Sequence, residues 1–212
     1  MVIDRKFVRY FSIFLIWLFS ISGMTGFLSP EYSEWFIGMT PFNLLLTFII
    51  LIGNIETYEK KIIFAIAIPF FLGFITEALG VNYGLIFGNY AYGENLGYKV
   101  FGVPIMICFN WALLTMATAD VSKLVSKNLV VTAFVGAALM TGLDVIMEVS
   151  APRFDYWEFE NGDVPLQNYV GWFITAFVAH LGYQSFKIKT NKVISLNVLI
   201  SITVFFTVFL FF

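Results

Sequence analysis

Seven long apolar runs constrain this chain more than any other feature of its sequence. The hydrocarbon core of a bilayer demands about 20 mostly apolar residues per helix. Runs of that order lie near Phe7–Leu28, Trp35–Gly53, Ile62–Leu79, Pro104–Ala119, Leu129–Val149, Tyr169–Phe186 and Val193–Phe212. Charge is too sparse for a water-facing shell: 12% of the 212 residues are charged, against about 25% in a typical soluble domain, and mean hydropathy is +0.85. The sequence therefore predicts an all-α fold, a polytopic membrane bundle of about seven transmembrane helices. Pro41 predicts a kink or a late start in the second run, and Pro69 a bend in the third. The first run follows Arg5, Lys6 and Arg9, as a signal peptide would, but it is long and lacks a small-x-small cleavage site. It is read as a helix. With no repeat or linker in view, residues 1–212 are read as one membrane domain.

Basic residues then orient the bundle. Arg5, Lys6, Arg9, Lys60, Lys61, Lys123, Lys127, Lys187, Lys189 and Lys192 fall on one side of the seven-span arrangement, and only Lys99 and Arg153 on the other. By the positive-inside rule the N-terminus is cytoplasmic and the C-terminus external. The two longest connections, 80–103 and 150–168, then lie outside. Both are aromatic and rich in Gly, Pro and Asn, which predicts structured caps at the interface.

Ionisable groups inside apolar spans are costly and usually functional. Glu77 stands late in the third span, Asp144 and Glu148 late in the fifth. Asp144 and Glu148 are four residues apart and share one helical face, with Thr141 beside them. The third and fifth spans both run outward, so all three carboxylates reach the same outer depth. Asn110 and Trp111 in the fourth span, and Asn168 and Trp172 in the sixth, begin at that level too. No lysine or arginine lies within a span to neutralise the acids, so at least one is expected to hold a proton near neutral pH, which suits a general acid. The plainer alternative is interhelical hydrogen bonding, or Arg153 folding back onto Glu148.

Other chemistries are poorly served. His180, the single histidine, lies toward the cytoplasmic half and reads as a packing residue; Cys108, the single cysteine, reads as apolar filler. One His and one Cys make a transition-metal centre improbable, so no metal and no cofactor are expected. The seventh span holds no lysine for a retinal Schiff base, and no G-x-x-x-x-G-K loop is present. A net charge of −2 leaves no basic surplus for nucleic acid. The 26 phenylalanines are read mostly as packing and lipid-facing residues, although their number suits a pocket for a long apolar ligand.

Two blocks carry a family resemblance. Phe87-Gly88-Asn89-Tyr90-Ala91-Tyr92, Leu96-Gly97, Gly102-Val103-Pro104 and Trp111 form the first. Asp144 with Glu148, Pro152, Trp157, Pro165, Asn168, Gly171 and Trp172 form the second. Together, over roughly residues 70 to 175, they resemble the membrane carotenoid hydratase family of the bisanhydrobacterioruberin hydratase and γ-carotene 1′-hydroxylase type. The chain departs from the family pattern at one place: an aspartate followed by proline is common where Glu148-Val149 stands here. The acid is kept, but its reach is one methylene longer.

The resemblance implies a cofactor-independent hydratase that adds water across a terminal isoprenoid double bond of an acyclic or monocyclic carotenoid. Asp144 or Glu148 would donate the proton, with the other acid and Glu77 positioning water. Asn110 and Asn168 would hold the water, while Trp111, Trp157, Tyr90 and Trp172 would face the cation. The implied setting is a bacterial or archaeal cytoplasmic membrane. The implied partners are carotenoid, membrane lipid and other enzymes of the same pathway. A carotenoid end-group cyclase would carry the same acids, and a non-catalytic lipid- or pigment-binding protein would use them as ligands.

Overall fold

Helix boundaries fall where the chain supplies caps. The Asp4 side chain accepts from the Lys6 amide at the start of α1 (Arg5–Phe27), and Asn191 from Val193 at the start of α8 (Lys192–Val208). Asn128 accepts from Val130 and Val131 and opens α6 (Leu129–Glu148). Pro104 and Pro165, extended and without an N–H to leave orphaned, precede α5 (Ile105–Ser122) and α7 (Leu166–Ser185). α4 (Lys61–Tyr83) runs unbroken through Pro69 and stops at Gly84, whose φ of 64° is left-handed. The structure, a computed structural model, describes residues 4–212.

Among the described residues there are eight helices, and four of them (α1, α4, α5 and α6) are long and apolar enough to cross a membrane. The expected second span is broken. A short α2 (Ser33–Gly38) gives way at Met39 to α3 (Thr40–Gly53), with Pro41 in its first turn, so the proline marks a late start. α3 and α8 are apolar but shorter, at 14 and 17 residues. α7 has 20 residues, and Gln167, Asn168, His180 and Gln184 dilute its hydropathy.

α5 is the axis of the bundle. From Trp111 to Asp120 every residue is buried, as expected for a helix apolar all round. α1 is its opposite: Phe7, Phe11, Phe14, Leu18 and Ile21 form an exposed apolar stripe, as suits a helix at the lipid-facing edge of a bundle.

The helix ends sort into two groups. At one end the Arg5 guanidinium donates to the Glu56 carbonyl, the Glu56 amide to the Lys189 carbonyl, and Ile55 bridges Thr190. At the other end Phe27 packs against Phe154 and Phe209, Tyr156 shares a hydrogen bond with Thr40, and Arg153 donates to the Phe209 carbonyl. The all-α expectation needs one amendment at this second end. Here β1 (Tyr90–Tyr92) pairs antiparallel with β4 (Trp157–Phe159), and β2 (Lys99–Val100) pairs with β3 (Val103–Pro104). The first pair ties the α4–α5 connection to the α6–α7 connection, directly over the carboxylates.

Candidate active site

Glu77 lies on the last third of α4, buried, and its carboxylate is held by three donors. Tyr90 and Tyr92 donate their hydroxyls to Oε2, the latter at 2.7 Å, and Trp111 Nε1 donates to Oε1 at 2.9 Å. The two tyrosines reach one oxygen because alternate strand residues share a face. Burial, reinforced by the neighbouring Glu77, pushes both phenols well above their ordinary range, so both remain donors. Close approach makes this possible. A Cβ on Gly73 would stand 2.4 Å from the Trp111 ring, and one on Gly80 2.9 Å from Tyr90.

Asp144 and Glu148 project from the same face of α6 and are bridged by a single amide. Asn168 Nδ2 donates to Asp144 Oδ2 at 2.9 Å and to Glu148 Oε1 at 3.1 Å. Trp157 Nε1 donates to Glu148 Oε2 at 2.9 Å, so both oxygens of Glu148 are engaged. Asp144 is different. It is fully buried, and its Oδ1 has no hydrogen-bond partner, nor does the neighbouring Thr141 hydroxyl. Buried carboxyl oxygens are rarely left alone, because the desolvation cost is of order 1–3 kcal/mol.

All three acids open onto one small cavity, together with Asn110, Asn168, Tyr90, Tyr92, Trp157 and Trp172. Its volume is about 20 Å³, and one ordered water needs roughly 10–15 Å³. The polar walls supply its partners. Trp111 is off the wall. Its indole anchors Glu77 and its ring stacks on Trp172 at 4.4 Å, so it braces the cavity from behind.

Among the described residues no cation pairs with these acids. Arg153 does not fold back onto Glu148; it lies over the Phe154 and Phe209 rings. His180 is equally remote in its contacts. It is fully buried, shares hydrogen bonds with Thr118 and Gln184, and packs on Gly136. Tyr92 stands in the first resemblance block without a role, because a three-residue strand carries too little periodicity to show that it shares a face with Tyr90. Sequence reasoning also ended the fourth span one residue before Asp120, a buried carboxylate that accepts from Thr190 and Ser195 at the other end of the bundle.

A second, larger space adjoins the cavity. Its volume is about 380 Å³, and it runs between α1, α2, α3 and α8. Ile107, Asn110, Met147 and Trp157 belong to both walls.

A family model described as Carotenoid biosynthesis protein matches residues 38–212, a stretch that includes every residue of the acid cavity. No curated protein and no solved structure matches the chain.

Proposed function

Because the chain belongs to the carotenoid biosynthesis protein family, we propose that it hydrates a terminal isoprenoid double bond of an acyclic or monocyclic carotenoid, giving a tertiary alcohol. The observation that carries this reading is the unpartnered Oδ1 of the fully buried Asp144, a residue that lines a water-sized polar cavity. An acid that must protonate an alkene needs an oxygen free to carry the proton. Asp144 Oδ1 is free, whereas both oxygens of Glu148 face N–H donors that leave no room for an O–H.

In the first step Asp144 gives its proton to the CH carbon of the terminal double bond, and the π electrons form the new C–H bond. The positive charge falls on the dimethyl-substituted carbon. The faces of Trp157, Trp172 and Tyr92 stabilise it through their quadrupoles. Water held by Asn168 and Glu148 then bonds to that carbon through oxygen. Its released proton passes to the carboxylate pair and restores the acid. Glu77 accepts from three donors and so holds Tyr90, Tyr92 and Trp111 in place around the cavity. Proton and water are the only co-reactants. Trp111 supports Glu77, and Asn110 stands at the mouth where substrate enters. The cavity's polar lining favours hydration over cyclisation, since a cyclase must keep water from its cation.

The same proposal extends to the membrane. Seven passes are reached by counting α2 with α3 as one and including α7 and α8. The end that gathers Arg5, Lys60, Lys61, Lys123, Lys127, Lys187 and Lys192 is then cytoplasmic, as the positive-inside rule requires. The acids lie near the outer face of a cytoplasmic membrane, where water is at hand. Product analysis in a host that makes acyclic carotene tests the reading: a tertiary alcohol must appear, and no new ring.

A further inference from the structure

The acid cavity cannot hold a carotenoid. It has room for about one or two waters, so the chain of any long substrate must sit elsewhere. We infer that the groove between α1, α2, α3 and α8 is the binding site for the linear polyene chain, with the reacting end passing over Ile107 and Met147 to reach Asp144. This inference rests on the hydration reading for its substrate class, but its evidence is separate.

Continuity comes first. Ile107, Asn110, Met147 and Trp157 line both spaces, so a chain lying in the groove has its tip at the acids without crossing any further element. The lining comes second. Phe19 and Phe27 of α1, Phe36 of α2, Phe42 of α3, and Phe205 and Phe206 of α8 surround the groove. Flat, polarisable rings suit a conjugated chain better than they suit a saturated, flexible acyl chain. The hydroxyls present do not contradict this. Ser20 bonds the Ser201 carbonyl, Ser22 the Leu18 carbonyl, and Thr47 the Asn43 carbonyl, so none needs a polar ligand. Third, the wall contributed by α1 and by Trp35 and Phe36 precedes residue 38, where the family match begins, whereas the acids lie within it. The groove is therefore walled in part by residues outside the matched stretch, while Phe42, Phe205 and Phe206 lie inside it with the acids.

The test uses the full chain in lipid nanodiscs, with an acyclic carotene and a short acyclic terpene bearing the same dimethyl terminal double bond. Ser20→Phe and Thr47→Phe fill the groove from two different helices. Each is expected to weaken carotene binding, read by the bound pigment's absorption, by about tenfold or more. Each should also lower kcat/KM for the carotene at least about tenfold more than for the terpene. Equal losses on both substrates, or unchanged carotene affinity in folded variants, would overturn the inference. A third arm avoids bulky residues: in a Cys108→Ser background, Ser22→Cys should be protected from a thiol reagent by bound carotene. Full reactivity with carotene bound also overturns the inference. Wild-type protein that binds carotene but forms no alcohol would sink the hydration reading alone and leave the groove standing.

Discussion

Asp144→Asn separates chemistry from architecture more cleanly than any other single change. The substitution is nearly isosteric, and the amide oxygen can still accept from Asn168 Nδ2, which lies 2.9 Å from Asp144 Oδ2. The oxygen that becomes NH₂ has no partner to lose. The stability cost should therefore stay below about 1 kcal/mol. The proton is gone, however. General acids contribute roughly 10²–10⁴-fold, and protonation here creates the cation, so a loss of about 10³-fold or more is expected, ~4 kcal/mol of barrier. Glu148→Gln provides the contrast. Both of its oxygens accept, from Asn168 and from Trp157, so an amide there must turn an N–H toward one donor. That orphans a buried group and should cost about 1–3 kcal/mol of stability as well as activity. The assay is the initial rate of alcohol formation by mass spectrometry, beside the unfolding midpoint in the same nanodiscs. An Asp144→Asn protein that keeps more than about a tenth of the wild-type rate would refute Asp144 as the proton donor.

Glu77→Gln should fall mainly in stability, because three donors then face a group with one acceptor oxygen; each orphaned donor costs about 1–3 kcal/mol, and an unchanged melting midpoint would show that the cluster is not what holds β1 over the site. In water enriched in oxygen-18 the tertiary hydroxyl should carry the label, and in deuterated water the adjacent carbon should gain one deuterium; label from oxygen gas would exclude hydration, and deuterium without new oxygen would indicate a cyclase. In a Cys108→Ser background, cysteines placed at residues 94 and 160 should react with an impermeant reagent outside intact cells, and one at residue 125 should not. Labelling of all three from one side would end the seven-pass orientation.

Much of this was legible from residue order, for identifiable reasons. Long apolar runs leave little choice of secondary structure, so α4, α6 and α7 lie close to the runs that announced them. Asp144 and Glu148 had to share a face because of helical spacing, and the direction of travel of each span brought Glu77 to their level. Residue order could not disclose which acid oxygen would lack a partner, since that depends on Asn168 and Trp157 arriving from α7 and β4. The break at Met39 was hidden by an apolar run that continues through it, with Pro41 as the only sign. The strand pairing over the site escaped for a simpler reason: three-residue strands carry too little periodicity to be read. The groove is wholly tertiary. Its phenylalanines come from four helices, and nothing in the spacing of any one helix distinguishes a ring that lines it from a ring that meets lipid.

The hydrogen bonds of the acids also divide the molecule by order of synthesis. Glu77 finds its three partners 13, 15 and 34 residues further along the chain, all before α6 begins. Glu148 and Asp144 find theirs 9, 20 and 24 residues on, all within the next connection and helix. Neither cluster borrows a donor from the other, so each carboxylate can be sheltered soon after its helix enters the bilayer. A ribosome delivering this chain need not leave a bare acid in lipid while waiting for the far half. What joins the two connections at this end of the bundle is the pairing of Tyr90–Tyr92 with Trp157–Phe159, which can form only when the second connection has been made. The roof of the acid cavity therefore needs both halves of the chain, and cannot be complete before Phe159 has been made.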